Sequence, residues 1–131
     1  MSYSDPDRRV YSFGIHDFGA ASESLSIKGP RGKTGTLVAI HASATETFTA
    51  VTTPARIDIG TGADTDAYAS FVLGTLADTD SASTDDGVTD TDAIINRSIP
   101  ANTQVEVTFV APTGGTPAGM AAVSVIIDWA W

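Results

Sequence analysis

The chain has no cysteine, which excludes disulfide bonds, thiolate metal sites and cysteine nucleophiles. It also lacks an apolar run near the roughly 20 residues that a membrane-spanning helix needs, and no charged-then-apolar signal segment opens it. Leu, Glu and Lys are scarce, and thirteen of the sixteen acidic residues are Asp, which favours turns over helices. Because Thr, Ser, Gly and Val are abundant, the 131 residues are typical of a single all-β domain.

Positive charge is scarce and unevenly placed. The net charge is −9, with residues 1–56 summing to +1 and residues 57–131 to −10. An acidic surface repels phosphate groups, so we expect no nucleic-acid partner. The absence of a spanning segment likewise predicts no membrane partner.

Alternation of apolar and polar residues predicts strands along most of the chain. The pattern is longest at residues 119–131, where every second side chain is apolar: Ala121, Val123, Val125, Ile127, Trp129 and Trp131. Both tryptophans of the chain lie in this stretch, which predicts an anchor in the domain core or a subunit interface. Earlier runs predict one strand face with Tyr11, Phe13 and Ile15, and another with Val38, Ile40, Ala42 and Ala44.

Roughly seven to nine strands with one apolar face each predict an antiparallel, two-sheet β-sandwich. The missing Cys…Trp…Cys spacing favours a jelly-roll-like arrangement over an immunoglobulin-like one. Residues 1–9 are polar and predict a flexible N-terminal arm before a single domain over residues 10–131. Residues 78–92 are rich in Asp, Ser and Thr, which predicts an acidic surface loop.

Basic residues cluster in the predicted arm and in one turn, G-P-R-G-K-T-G. Arg8 and Arg9 of the arm, and Lys28, Arg31 and Lys33 around the turn, are candidates for binding an acidic partner. A solvated tail and an ordinary charged turn are the alternatives. A phosphate loop is excluded at Gly32-Lys33-Thr34, because the preceding glycine is missing and strand patterning follows.

No constellation predicts catalysis. Neither histidine lies in a recognisable motif: His16 ends a strand, where a structural role is expected, and His41 is predicted to face solvent or an interface. Asp78, Asp80, Asp85 and Asp86 are weak candidates for Ca²⁺ ligands, since they lack the spacing of an EF-hand. We therefore expect no enzyme activity, no metal site and no other cofactor.

Three stretches of the chain resemble tailed-bacteriophage capsid decoration, or cement, proteins. They are G-P-R-G-K-T-G followed by T-L-V-A-I, then S-I-P-A-N-T-Q-V-E-V-T-F-V-A-P, and finally G-G-T-P-A-G-M-A-A-V-S-V-I-I-D-W. The resemblance implies a jelly-roll subunit, commonly a homotrimer, made in the host cytoplasm and placed on the outer capsid surface of the virion. There it would clamp neighbouring subunits of the major capsid protein.

An alternative is a recognition module of a phage tail or fibre, or a carbohydrate-binding sandwich. Such modules present exposed aromatic side chains on which sugars stack. Tyr68 and Phe71 are the mid-chain candidates, although core placement is favoured for Phe71.

Overall fold

Alternating sequence patterns become nine strands in the computed structural model, which describes residues 7–49, 52–86 and 92–131. The strands are β1 (Asp7–Asp17), β2 (Glu23–Lys28), β3 (Thr34–Thr49), β4 (Ala55–Gly60), β5 (Ala69–Gly74), β6 (Ser81–Ser83), β7 (Ser98–Ile99), β8 (Gln104–Val110) and β9 (Ala118–Ala130). No helix in the part of the chain that the structure describes is long and apolar enough to cross a membrane.

The strands form two antiparallel sheets, which confirms the predicted sandwich. One sheet has the order β1-β9-β3-β6, with β7 also paired to β3, and the other has the order β2-β8-β4-β5. A jelly roll places the first, last, third and sixth of eight strands in one sheet, and the second, seventh, fourth and fifth in the other. The chain has this topology, with β6 and β7 sharing the sixth position.

The C-terminal strand β9 is the centre of the larger sheet. It pairs with β1 along one side and with β3 along the other. Its side chains alternate between buried and half-buried along its whole length, so one face fills the core and the other lines the outer surface. The opposing sheet contributes the apolar side chains of β4, β5 and β8, which are buried at Ile57, Phe71 and Phe109 among others.

Two β-bulges move residues away from the faces that the alternation predicted. In β1 the register shifts between Ser12 and Ile15, where Gly14 has a φ of 69°. Ile15 is therefore on the outer face and 59% exposed, not beside Tyr11 and Phe13. In β3 the shift falls between Leu37 and Ala39, so Leu37 is buried in place of the predicted Val38.

Other boundaries also differ from the predicted ones. The first six residues of the predicted arm lie outside the described residues, but residues 7–9 belong to β1 because they pair with Trp129, Asp128 and Ile127 of β9. The predicted acidic loop contains β6, whose Ala82 is buried and pairs with Ala42 of β3. Residues 87–91 of that loop lie outside the described residues.

Candidate partner-binding surface

One end of the sandwich gathers most of the positive charge. The start of β1 lies beside the end of β9, since Asp7 pairs with Trp129. The start of β3 lies on the other side of β9, where Thr34 pairs with Ala130. The turn between β2 and β3 is at the same end, and we call its basic residues together with those of β1 the basic end: Arg8, Arg9, Lys28, Arg31 and Lys33. These are five of the seven Lys and Arg residues in the chain.

Two of the five cations are neutralised by carboxylates of the same chain. Arg8 donates from Nε to Asp128 Oδ1 at 2.7 Å and from Nη2 to Asp128 Oδ2 at 3.0 Å. These hydrogen bonds hold the pKa of the Asp128 carboxyl below its ordinary value and raise that of Arg8. Arg9 donates to Asp7 at 3.0 Å. Both arginines are therefore less available to an external partner than the sequence predicted.

The three cations around the β2–β3 turn are in a different situation. Lys28 and Arg31 are exposed, and neither they nor Lys33 forms an ion pair with a carboxylate within residues 7–49, 52–86 and 92–131. The turn is held in place by a 3.0 Å hydrogen bond from the backbone N–H of Gly32 to Asn102 Oδ1. It therefore presents uncompensated positive charge from a fixed backbone.

The two tryptophans have separate positions. Trp129 is 1% exposed and donates from Nε1 to the Tyr11 hydroxyl at 2.9 Å, so it is the core anchor that the sequence predicted as one option. Trp131 follows the last residue of β9 and is 83% exposed. The Lys33 ammonium lies 5.4 Å from the centre of its ring, within range of a cation–π interaction. Trp131 thus belongs to the basic end and not to the core face that alternation predicted.

Two glycines that the sequence analysis did not single out make room for Trp129. A Cβ atom on Gly29 would lie 2.4 Å from indole carbons of Trp129, and one on Gly35 would lie 2.7 Å from Cζ3. Both distances are below any real non-bonded carbon contact. The glycine-rich turn is visible in the sequence, but nothing in a single sequence links Gly29 and Gly35 to a tryptophan that is 100 and 94 positions away.

The histidines lie at different places and are not near one another in the sheet. His16 stacks on Phe109 with ring centres 4.7 Å apart, and its Nδ1 lies 3.2 Å from Glu23 Oε2. Most of its side chain is packed in the sandwich, which favours the structural role that was expected. His41 is exposed on β3, as predicted, with Nε2 3.8 Å from Asp85 Oδ1.

The Asp residues considered as Ca²⁺ ligands make local contacts. The carboxylates of Asp85 and Asp86 accept hydrogen bonds from Ser83, while the backbone N–H of Asp78 donates to Thr47 Oγ1. The carbonyl of Asp80 accepts a bond from the backbone of Ala44. Within the described ranges, no group of three or more His, Cys, Asp or Glu side chains is arranged to hold a metal ion.

The aromatic candidates for sugar stacking are both in the core. Tyr68 is 6% exposed and Phe71 is fully buried. Neither can offer a ring face to a carbohydrate without unfolding of β5 or the segment before it. The two residues are therefore not a sugar-stacking surface in this fold.

Comparison with known proteins gives a likeness of fold. No protein-family model matches the chain, and no curated protein matches it. A chain of the cyanophage Pam1 capsid asymmetric unit superposes with a TM-score of 0.51 at 15% identity, covering 95% of this chain and 86% of that one. The crystal structure of FLHE matches with a TM-score of 0.40 at 13% identity, covering 97% of this chain and 95% of that one.

Proposed function

We propose that the chain is a structural virion protein that binds the outer surface of a phage capsid and clamps neighbouring subunits of the major capsid protein. The observation that carries the proposal is the fold that it shares with a chain of the Pam1 capsid asymmetric unit. The two chains are similar in length, since the alignment covers most of each. The stretches that resemble decoration proteins support the same role independently.

The proposed contact surface is the basic end. Lys33 lies against the exposed ring of Trp131. Within the described residues, neither Lys33 nor its exposed neighbours Lys28 and Arg31 form an ion pair with a carboxylate. Exposed tryptophan and arginine are the residue types that contribute most to protein interfaces. On a protein with a net charge of −9, a single positive end also orients the molecule towards an acidic surface before contact. Arg8 and Arg9 would contribute less, because each already has a carboxylate partner.

The proposed role is mechanical and not catalytic. A jelly roll with a continuous apolar core is a rigid block, and its remaining acidic surface favours dispersal of particles in water. The three-fold assembly implied by the resemblance stays a prediction, and so does the position on the outer surface of the head.

The test of this proposal is a binding measurement on capsids. Heads are purified from a deletion mutant of the phage whose genome encodes this chain. These heads, which lack the chain, are then mixed with the purified chain. The expected result is saturable binding at a fixed number of copies per head. Absence of saturation, or absence of the chain from wild-type particles, would contradict the proposal.

A charge-matched pair of variants tests the basic end. Arg31→Gln with Lys33→Gln removes two positive charges from the proposed surface, and should weaken binding by about tenfold. Thr75→Asp with Ala77→Asp changes the net charge equally at exposed positions just after β5, at the far end of the sandwich. The control should bind like the wild type. Equal weakening by both variants would show that only net charge matters.

A further inference from the structure

The longest open edge of the fold is strand β1. Among the residues that the structure describes, its eleven residues pair with β9 alone, and its other edge has no strand beside it. The remaining edges are shorter or covered: β2 has six residues, β6 has three, β7 has two, and β5 receives backbone contacts from Ala93 and Ile94. A long edge of unpaired N–H and C=O groups is a template for pairing with another chain.

The outward face of β1 carries two unusually exposed apolar side chains. Val10 is 57% exposed and Ile15 is 59% exposed. Both lie on the outer face of the sheet, because they pair with Ile126 and Ala122 of β9. Arg8 precedes them on this face and Asp17 follows them, while Ser12 lies midway. The outward series therefore runs from positive charge through apolar, hydroxyl and apolar groups to negative charge.

The bulge decides whether such a strand can pair with itself. In an antiparallel pair, residues directly opposite each other point to the same face. In a strand without a bulge, two residues whose numbers differ by an odd count point to opposite faces of the sheet. Val10 and Ile15 differ by five, so without the bulge one would point outward and the other inward. Phe13 and Gly14 together lie opposite a single residue of β9. Ile15 is therefore four pairing positions from Val10 instead of five, which is an even number. Both residues then face outward and can meet in one pairing.

We propose that β1 pairs antiparallel with β1 of a second copy of this chain about a two-fold axis at Ser12. In that register Val10 lies opposite Ile15 of the second copy, and Arg8 lies opposite Asp17 of the second copy. The same contacts recur on the other side of the axis, as an isologous interface requires. Arg8 donates from Nε and from Nη2 to Asp128, and the N–H groups of Nη1 are still available to the carboxylate across the axis.

Strand β2, at an edge of the four-stranded sheet, shows that this match is not a general property of the fold. Its terminal charges, Glu23 and Lys28, are also opposite in sign. A pairing that joins them sets half-buried Leu25 against exposed Ser26, because β2 has no bulge to correct the count. Self-pairing of β2 therefore matches its charges or its faces, but not both.

Cross-linking tests the proposed register directly, because the chain has no native cysteine. In Ser12→Cys the two thiols lie opposite each other at the axis, within about 5 Å between Cβ atoms, and should form an intermolecular disulfide on mild oxidation. Ser124→Cys is the matched control, since Ser124 is the β9 partner of Ser12 on the same face. Its two copies would be separated by three strand spacings, about 14 Å, and should not cross-link. Efficient cross-linking of Ser124→Cys, or none of Ser12→Cys, would overturn the proposal.

Molar mass gives an independent test. The wild-type chain at millimolar concentration should have twice its 13.5 kDa mass by light scattering. Val10→Glu and Ile15→Lys should each be monomeric alone, and mixing them should restore a dimer, because the new charges meet in the proposed register. Ile95→Lys, at a residue that is 61% exposed outside β1, should remain dimeric. A wild-type monomer, or a mass of three chains, would overturn the inference.

This inference goes beyond the proposed capsid role and can fail separately from it. Monomeric Val10→Glu or Ile15→Lys chains keep the basic end intact, so their binding to heads reports on the capsid proposal alone. A wild-type mass of three chains would reject the β1 pairing in favour of the three-fold assembly implied by the resemblance.

Discussion

The close packing of Trp129 against Gly35 predicts that a side chain at position 35 lowers the stability of the fold. Gly35 lies directly opposite Trp129 in the pairing of β3 with β9. A Cβ atom there would lie 2.7, 3.0 and 3.1 Å from three carbons of the indole ring. The backbone of Gly35 is not in the left-handed region, so an alanine is acceptable to the main chain. The substitution Gly35→Ala therefore tests side-chain packing alone.

The expected cost is the difference between two effects. Overpacking a closed core costs about 1–3 kcal/mol, because Trp129 has no room to move. Replacing glycine by alanine also reduces the conformational entropy of the unfolded chain, which stabilises the folded state by about 0.4–1 kcal/mol. We therefore expect Gly35→Ala to lower the free energy of unfolding by about 1–2 kcal/mol.

A double-mutant cycle isolates the contact. Trp129→Phe is itself destabilising, since it removes ring area and the hydrogen bond to Tyr11, but it vacates the space that the new methyl group needs. In that background Gly35→Ala should be neutral or stabilising. The coupling energy should then be about 1–3 kcal/mol.

Urea unfolding followed by far-ultraviolet circular dichroism is the assay, because fluorescence would change with the tryptophan itself. Gly62→Ala is the matched control, since a Cβ atom there meets nothing within 4 Å. It should leave stability unchanged or slightly higher. If Gly35→Ala costs no more than Gly62→Ala, or costs the same with phenylalanine at 129, the packing argument is refuted.

Three further predictions concern the basic end and the β3 bulge. Trp131→Ala should change stability by less than about 1 kcal/mol because the ring is exposed, whereas Trp129→Ala should cost about 3–5 kcal/mol; similar losses in urea melts would contradict the assigned positions. Asp128→Asn should destabilise the fold near neutral pH, and the difference from the wild type should vanish as pH falls through the lowered pKa of Asp128, because that stability is present only while the carboxylate is charged; a pH-independent difference would contradict this. Arg97→Ala should cost about 1.5–3 kcal/mol, since Nη1 donates to two consecutive carbonyls of the bulge at 2.8 and 2.9 Å, and Arg97→Lys should recover part of that loss; equal stability of all three proteins would contradict it.

The strands could be predicted because, wherever a strand has no bulge, the apolar residues of the alternating pattern are the buried ones. The long terminal run predicted β9, and its buried face matches the apolar positions up to Trp129. The prediction failed at Trp131 because the sheet ends one residue earlier. Alternation describes side chains only while the backbone stays paired.

The bulges could not be fully predicted, because they depend on contacts with residues that are distant in the chain. The extra residue of β3, Val38, is held by the side chain of Arg97, which is 59 positions away. The bulge of β1 did carry a local signal, since an isolated Gly14 inside a strand pattern is typical of one. Its consequence, that Ile15 turns outward, needed the pairing with β9 to be known.

The candidate surface was predictable only in part. The cluster of basic residues is visible in the sequence, and the fold brings its two halves to one end. Which cations have a carboxylate partner was not visible, because the partner of Arg8 is Asp128, 120 positions away. All five were therefore candidates in the sequence, whereas the structure separates two arginines with carboxylate partners from the three cations of the turn.

The central claim is that the chain sits on the outside of a phage head, and imaging tests it most directly. Cryo-electron microscopy of heads with and without the chain gives a difference density. The expected density is a jelly roll on the outer surface, spanning the junction between neighbouring major capsid subunits, with the β2–β3 turn and Trp131 facing the shell. Density inside the shell, on the tail, or absent altogether would contradict it.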